Sequence, residues 1–453
     1  MADLLPPPLW ALVAARLASH ADAAAMAGAC RDMRCAVREA EPAVFGRLLG
    51  ETFGARMGSA AQDEAKARFM DLAKASGVTW KARRDDEGEK PPAMNGAALA
   101  RMEKSGALVL FGGSGHRTSR HSNDLSDELW LSRDEGMSWT RVDAMGSEQP
   151  EPRWGHTLTA VSPTSAVLLG GFGSGEVHTD AWVLTEHSDG SFGWVQAPPM
   201  SESRAFHSAT FVRGWLVVAG GLGDGGSLDT HSLFHVQNGT WTPSATGLVC
   251  KGGSAGHFCE WLDAKNLLVM GGGCGRDPSR PVFRPDVYWG LTRVLEPMWG
   301  ESGDAPTRWL VRKEIKQPTD ARCAVSAALG NRGVLYWGGN MEDQRFNRHC
   351  CYLDLSGQTW HYRTLPPARD TERAPPREGA SAFPIPGGLR ILGGASFSRT
   401  TDFSVVWDLS LVDGAARGHP PPVSAGAAFD SDSGSDVYDS TLEEVDTDDD
   451  DGL

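Results

Sequence analysis

Arginines gather in one kind of loop of this sequence, directly after apolar runs that end in Gly-Gly. The guanidinium group binds carboxylate or phosphate groups through paired donors. We therefore predict that these loops bind an acidic or phosphorylated peptide through Arg117, Arg120, Arg276, Arg280, Arg284, Arg345, Arg348 and Arg399. The same loops also carry His116, His121, His178 and His349, and the acids Glu176, Asp224, Asp229, Asp277, Glu342 and Asp343. The alternative is that these charges are merely solvated and that a partner binds elsewhere.

Residues suited to catalysis form no convincing constellation. His156, His207 and His257 occupy corresponding positions of a repeated pattern, which indicates structural hydrogen bonding. No Cys-x-x-Cys pair or Cys/His zinc spacing occurs, and the five tyrosines offer no context for an oxidase copper site. We expect no catalytic residue, no metal and no cofactor.

The glycine doublets that position the arginine loops recur at intervals of 50 to 67 residues. They are Gly112-Gly113, Gly170-Gly171, Gly220-Gly221, Gly271-Gly272, Gly338-Gly339 and Gly393-Gly394. Periods near 50 residues are typical of propeller blades. Because the preceding runs are apolar throughout, each predicts an inner strand that is covered on both faces. The sequence thus predicts a mainly β, six-bladed β-propeller.

Aromatic residues follow the doublets in phase. The first set is Trp130, Trp182, Phe234, Trp289, Tyr352 and Trp407, and the second is Trp139, Trp194, Trp241, Trp309 (or Trp299) and Trp360. Such large rings fill the wedge between radially packed sheets, so we interpret them as core residues. The sixth repeat lacks a second Trp, whereas Trp80 precedes the first repeat. We therefore expect a strand near residues 78–82 to close the last blade.

The repeat resembles a known family. Glu151-Pro152-Arg153-Trp154-Gly155-His156, followed by the second doublet, Trp182 and Trp194, resembles the kelch repeat. Arg204-Ala205-Phe206-His207 is a second copy, and Gly256-His257, Arg322 and Arg377 mark incomplete ones. The resemblance covers about residues 76–413 and implies a propeller that binds a target protein.

The N-terminal residues have apolar positions at helical spacing. The pattern over residues 4–49 resembles the F-box, which implies a helical module over residues 1–55 that binds a Skp-type adaptor and, through it, a cullin. The residues that carry this contact would be Leu5, Pro6, Leu9, Val13, Leu17, Cys30 and Met33. The alternative is a helical cap packed on its own propeller. Residues 56–75 are expected to be a helical connector.

Charge is unevenly distributed along the chain. The formal net charge is −15, and residues 430–451 hold eleven acidic residues and no basic one, which leaves −4 for the first 429. We expect residues 414–453 to be a disordered acidic tail, and we hypothesise that it competes for the arginine loops. The net negative charge argues against nucleic-acid binding, and no apolar stretch at the N-terminus is long enough for a membrane span. The eight cysteines are few for a disulfide scaffold. We expect a cytoplasmic or nuclear protein.

Taken together, these patterns predict a substrate-recognition adaptor of a Skp–cullin–F-box ubiquitin ligase that is not itself an enzyme. One alternative is a kelch-propeller scaffold without ligase function. A propeller enzyme is a third, less favoured class.

Overall fold

The computed structural model describes the part of the chain that carries the repeats. The described residues are 75–84, 89–115, 125–146, 148–275, 287–288, 290–300, 305–306, 308–329, 332–341, 345–355, 359–367, 373–385, 388–396, 399–400, 403 and 405–413. The F-box-like segment, the connector up to residue 74 and the acidic tail lie outside these residues. No α-helix occurs in the described part, and no helix there has the length and hydrophobicity needed to cross a bilayer.

Six antiparallel blade sheets, one for each repeat, make up most of the described part of the chain. Blade 1 contains β2 (Ala98–Arg101), β3 (Leu108–Phe111), β4 (Leu129–Ser132) and β5 (Thr140–Val142). Blade 2 contains β6 (Thr157–Ser162), β7 (Ser165–Leu169), β8 (Ala181–Glu186) and β9 (Phe192–Ala197). Blade 3 contains β10 (Ser208–Val212), β11 (Trp215–Ala219), β14 (Thr230–His235), β15 (Thr240–Trp241) and β16 (Ala245–Thr246).

The second half of the ring repeats this plan. Blade 4 contains β17 (Ala255–Leu262), β18 (Leu267–Gly275), β19 (Val287–Tyr288), β20 (Leu291–Met298) and β21 (Arg308–Lys316), with a 3₁₀ turn at Asp263–Lys265. Blade 5 contains β22 (Val325–Ala328), β23 (Gly333–Trp337), β24 (Cys350–Asp354) and β25 (His361–Leu365). Blade 6 contains β26 (Ser381–Ile385), β27 (Gly388–Leu392), β30 (Val405–Asp413) and β1 (Ala75–Arg84). Two short ribbons decorate the loops: β12 (Leu222–Gly223) with β13 (Gly226–Ser227), and β28 (Ala395–Ser396) with β29 (Arg399–Thr400).

The first strand of each blade lies innermost. These strands contact one another in the order β2, β6, β10, β17, β22 and β26, and β26 returns to β2. The ring is therefore closed, and a mainly β, six-bladed propeller is confirmed. Side chains also join neighbouring inner strands: Thr159 Oγ1 donates to the Ala209 carbonyl at 3.1 Å, and Thr210 Oγ1 to the Cys259 carbonyl at 2.9 Å.

The apolar runs before the glycine doublets occupy a different place from the one we expected. Each forms the second strand of its blade, not the inner strand. Its residues are nonetheless almost wholly buried, as in β3 and β23. A strand in the middle of a sheet is paired along both edges and covered on both faces by neighbouring blades, so an unbroken apolar run fits this place as well.

The repeated aromatic residues pack in the core, as expected. The described members of the first set, Trp130, Trp182, Phe234, Tyr352 and Trp407, are all buried. Members of the second set stand in or just before the fourth strand, and in blade 4 that residue is Trp309, whereas Trp299 follows the third strand. Trp289 lies outside the described residues.

Blade 6 takes its fourth strand from the beginning of the repeat region. β1 pairs with β30 over Ala75 to Arg84, where the aromatic pattern of the repeats predicts a closing strand. Trp80 lies 4.8 Å from Trp337 and 6.3 Å from Trp407, ring centroid to ring centroid. Arg83 pairs with Asp408, which Arg390 also holds with bonds of 2.6 and 2.9 Å. Apolar packing and charge pairing thus both stabilise this join.

Candidate protein-binding face

One face of the propeller carries both the loops that follow the doublets and the loops that enter each inner strand. Antiparallel strands that meander outward bring these two loop types to the same end. We call it the doublet face. Loops on a rigid scaffold are common sites of binding, so the doublet face is the candidate binding surface.

The doublets fasten each blade to the next one. The amide of the second glycine donates to a carbonyl oxygen of the following blade in all six places, at 2.8 to 3.3 Å. The acceptors are Arg153, Arg204, Ser254, Ala321, Arg377 and Met94. A Cβ on Gly338, whose φ is +76°, would lie 2.6 Å from the Arg377 carbonyl oxygen. This close approach explains why glycine recurs there.

This bonding pattern corrects two positions of the repeat alignment. In blade 4 the donor is Gly273, so the structural doublet is Gly272-Gly273, not Gly271-Gly272. In blade 5 the acceptor is Ala321, so Arg322 stands one place after the repeat arginine. Three consecutive glycines made the first error possible, and an arginine one place away made the second.

A closed ring of hydrogen bonds surrounds the axis at this face. Six residues, one at the entry to each inner strand, each donate their amide to the carbonyl of the preceding blade at 2.7 to 3.1 Å. Their φ angles lie between +52° and +69°. They are Gly96, Gly155, Phe206, Gly256, Cys323 and Gly379. Four are glycine, so Phe206 and Cys323 are the two that place a side chain at the axial mouth.

Phe206 belongs to an apolar cluster at this mouth. Its ring lies 5.1 Å from Trp154 and 5.7 Å from Phe172, between centroids. The apolar cluster comprises Leu125, Trp154, Phe172, Val177, Ala205, Phe206 and Leu222. Several of these side chains, including Phe206, are only half-buried. Blades 1 to 3 thus supply an apolar part of the doublet face.

The opposite part of the face, on blades 5 and 6, is polar. Its positions equivalent to Trp154 are Arg322 and Glu378, as their matching bridges to the doublet loops show. Arg345 and Arg348, two of the predicted partner-binding arginines, are exposed in the doublet loop of blade 5. Arg399 lies in β29, with only its backbone described. Arg117, Arg120, Arg276, Arg280 and Arg284 lie outside the described residues, as do all the F-box-like site residues from Leu5 to Met33.

The repeat arginines have a structural role that differs from partner binding. Arg153 is fully buried and donates to the Gly170 carbonyl at 3.0 Å and to both carboxylate oxygens of Asp180 at 2.5 and 2.8 Å. Burial raises the pKa of Asp180, but the hydrogen bonds and charge of Arg153 outweigh it and hold that pKa below its usual value. Arg204 and Arg377 likewise donate to the first glycine of their doublets.

The repeat histidines lie beneath the ring, between blades. His207 Nε2 is 3.0 Å from Thr157 Oγ1, and His257 Nε2 is 2.9 Å from Ser208 Oγ. His156 has no such neighbour, because the corresponding residue of blade 1 is Ala98. Burial lowers the pKa of His156 and His207 to about 3 and that of His257 to about 4. These imidazoles are neutral at physiological pH and pack between blades as structural residues, so we do not assign them a role in proton transfer.

A groove between blades 3 and 4 opens on the same face. Its volume is about 630 Å³, and charged side chains of both signs line it. They are Asp229, Lys251, Arg293 and Glu314. Arg293 is already engaged, since it donates to the Leu248 carbonyl at 2.7 Å. Sequence reasoning missed this groove because its four charged residues come from separate segments.

Comparison with known proteins agrees with this architecture. Residues 52–272 match the family described as the KLHDC2/KLHL20/DRC7 Kelch-repeats domain. The chain is 28% identical to putative adagio-like protein 2 of Oryza sativa subsp. japonica over 51% of this chain and 35% of that protein. It is 24% identical to adagio-like protein 1 of the same organism, over 65% and 46%. F-box/kelch-repeat protein At1g51550 of Arabidopsis thaliana is 30% identical over 26% of each chain.

The fold defines the class, a six-bladed β-propeller, and the family match assigns kelch-type repeats to residues 52–272. The alignments span about half or less of the length of the relatives they match. The activities and partners of the whole relatives are therefore only proposals for this chain.

Proposed function

We propose that the protein is the substrate-recognition adaptor of a Skp–cullin–F-box ubiquitin ligase. The doublet face would hold a target protein, and the F-box-like helices within residues 1–55 would bind the Skp-type adaptor. The kelch propeller, the F-box-like pattern of residues 4–49 and the similarity to an F-box/kelch-repeat protein support this proposal. Such an adaptor acts without chemistry of its own, by raising the effective concentration of its target near the ubiquitin-carrying enzyme.

The observation that carries target binding is the half-exposed apolar cluster at the axial mouth. Aromatic side chains on a rigid support are frequent energetic centres of protein interfaces. The ring of hydrogen bonds holds Phe206 in place before any partner binds, which lowers the entropic cost of association. The exposed Arg345 and Arg348 across the mouth would favour a target with acidic groups beside an apolar residue.

The cluster can be tested without disturbing the ring. Phe206→Gly introduces the residue found at four of the six equivalent positions. It removes only the Phe206 ring from the apolar cluster. We expect target proteins captured from cells under proteasome inhibition to bind this variant at least ten-fold less. Cys323→Gly, at the same backbone position of blade 5, is the matched control and should capture them normally. Equal capture by wild type and Phe206→Gly would contradict target binding at this cluster.

The ligase part of the proposal has a separate test. Leu9→Glu combined with Val13→Glu places charges in the predicted apolar face of the F-box-like segment. Purified wild type should form a complex with a Skp-type adaptor, and the double variant should not, while both still bind targets. A wild-type protein that captures targets but never the adaptor would support the alternative, a kelch-propeller scaffold without ligase function.

We also propose that the protein acts in the cytoplasm or nucleus. The six described cysteines are all free thiols, which suits a reducing compartment. A fluorescent fusion found in the secretory pathway would contradict this proposal.

A further inference from the structure

Blade 2 carries a group of polar side chains on the doublet face that the proposed function does not use. Glu151, Glu176 and His178 place one potential ligand atom each within 4.8 Å of one another. His178 is only 8% exposed, and its Nδ1 lies 3.6 Å from Glu176 Oε1. Its Nε2 is buried and has no hydrogen-bond partner. The ring nitrogen that faces Glu176 is thus Nδ1, whereas Nε2 points toward the backbone of Gly173.

The other blades show that the fold does not need histidine at this position. The His178 amide donates to the Gly171 carbonyl, and the amides of Ser126, Leu228 and Asn347 make the same bond in blades 1, 3 and 5. These equivalents are a hydroxyl, an aliphatic and an amide side chain. The local backbone therefore accepts side chains that differ widely from imidazole. Among blades 1, 2, 3 and 5, a histidine at this position occurs in blade 2 alone.

The same comparison explains why Glu151 is available. Its equivalent in blade 3, Glu202, pairs with Arg204 at 2.5 Å and accepts a hydrogen bond from Thr230. In blade 2 the residue equivalent to Thr230 is Asp180, which engages Arg153 through both oxygens. Arg153 is thereby satisfied, and Glu151 lies exposed beside the exposed Glu176. The presence of Thr230 in blade 3 and of Asp180 in blade 2 therefore explains why Glu202 pairs with its arginine, whereas Glu151 lies near His178.

We propose that Glu151, Glu176 and His178 form a binding site for a divalent transition metal ion such as Zn²⁺. Two carboxylates supply two negative charges, and the imidazole supplies a nitrogen ligand. Such a ligand set favours Zn²⁺ over Mg²⁺ or Ca²⁺, which bind oxygen ligands. Tetrahedral ligands at 2.0–2.2 Å from Zn²⁺ are about 3.4 Å apart, close to the observed Nδ1–Oε1 distance of 3.6 Å. Glu151 is on the surface and can close the remaining gap. The fourth position is left to water.

Calorimetric titration of the EDTA-treated, full-length chain with ZnCl₂ tests the site. The free cysteine thiols and the acidic C-terminal residues can also bind metal, so the comparison between wild type and variants is decisive. We expect wild type to bind one equivalent of Zn²⁺ that Glu176→Gln and His178→Leu lack. His178→Leu introduces the residue of blade 3, so its thermal melt without metal should match that of wild type. Asp224→Asn removes an exposed acid from the corresponding loop of blade 3 and should retain the full stoichiometry.

Co²⁺ provides an independent readout of the ligands. Bound at this site it should show visible ligand-field bands without the near-ultraviolet band of a thiolate ligand, and His178→Leu should abolish them. An unchanged stoichiometry in both variants, a thiolate band that accounts for all bound Co²⁺, or equal binding of Ca²⁺ and Zn²⁺ at the site would each overturn the proposal. The capture of targets or of the Skp-type adaptor is measured separately, so its failure has no bearing on this outcome.

Discussion

Single residues decide how closely neighbouring blades approach one another. The first glycine of each doublet lies against the backbone of the next blade, and at Gly338 a Cβ would meet the Arg377 carbonyl oxygen at 2.6 Å. Gly239 has a similar φ, +65°, but a Cβ there would meet nothing within 4 Å. The two positions share the backbone requirement and differ only in the space available.

This difference makes a prediction about stability. Gly239→Ala should lower the free energy of unfolding by about 1 kcal/mol, the strain of a left-handed backbone. Gly338→Ala should lower it by about 3 kcal/mol, because the blades must also move apart. Urea denaturation measures both values. Equal losses in the two variants would show that backbone strain alone accounts for the doublets.

The buried histidines predict how stability depends on pH. Burial holds their pKa values at about 3 to 4, whereas an unfolded histidine titrates near 6.5. The unfolded state therefore binds more protons below pH 6.5, and stability falls as the pH decreases. Each histidine contributes a slope approaching about 1.4 kcal/mol per pH unit.

Unfolding free energies at pH 7.5, 6.5 and 5.5 test this dependence. His207→Gln should be less sensitive to pH than wild type, by about one histidine's share of the slope. Glu260, whose pKa is raised by burial, acts in the opposite direction but is common to both proteins. Identical slopes in the two proteins would contradict the assignment of His207 as a buried neutral residue.

At the scale of elements, the join between the two ends of the repeat region is the point where the ring can open. β1 brings Trp80 between Trp337 of blade 5 and Trp407 of its own blade. Lys81, the next residue of β1, is exposed. Substitution of Trp80 thus tests the packing of the closing strand, and substitution of the adjacent Lys81 is a control in the same strand that leaves this packing intact.

Trp80→Ala should therefore destabilise the whole propeller by about 3 to 5 kcal/mol, as for other buried tryptophans. Lys81→Ala should cost less than about 0.5 kcal/mol. Thermal melts and urea titrations provide the comparison. Deletion of residues 76–84 should be more severe than either substitution, and a thermal melt unchanged by that deletion would refute closure by β1.

For the whole molecule, the ring of six amides links all blades in a cycle, so no ring bond can open without disturbing a join between blades. Hydrogen exchange measured by mass spectrometry should show peptides that contain Gly155, Phe206 and Gly256 exchanging slowly, at a rate near that of global unfolding. The half-exposed edge strands β5 and β21 should exchange faster. Rapid exchange at these entry loops would contradict a cyclic, cooperative ring.

Features of the fold that depend on local sequence patterns could be predicted, and features that depend on the exact register or on distant contacts could not. The number of blades, the doublets and the aromatic wedges were predictable, because each blade repeats the same local requirements for glycine and for buried rings. The inner-strand assignment was wrong, since an apolar run fits any strand covered on both faces. The one-residue shift at Gly271 was missed because three consecutive glycines leave the register ambiguous. The shift at Arg322 was missed because this arginine stands one place after the repeat position, which Ala321 occupies.

Local patterns in the sequence are enough to predict six small β units with a common turn and a common core. The side chains that meet at the doublet face are known only from the three-dimensional fold. The Phe206–Trp154 contact and the ring of amides join different blades, and the approach of Glu151 to His178 joins two loops of blade 2. The contacts between blades depend on how the ring closes in space, and the contact within blade 2 depends on how its two loops fold over the sheet, which no spacing along the sequence specifies.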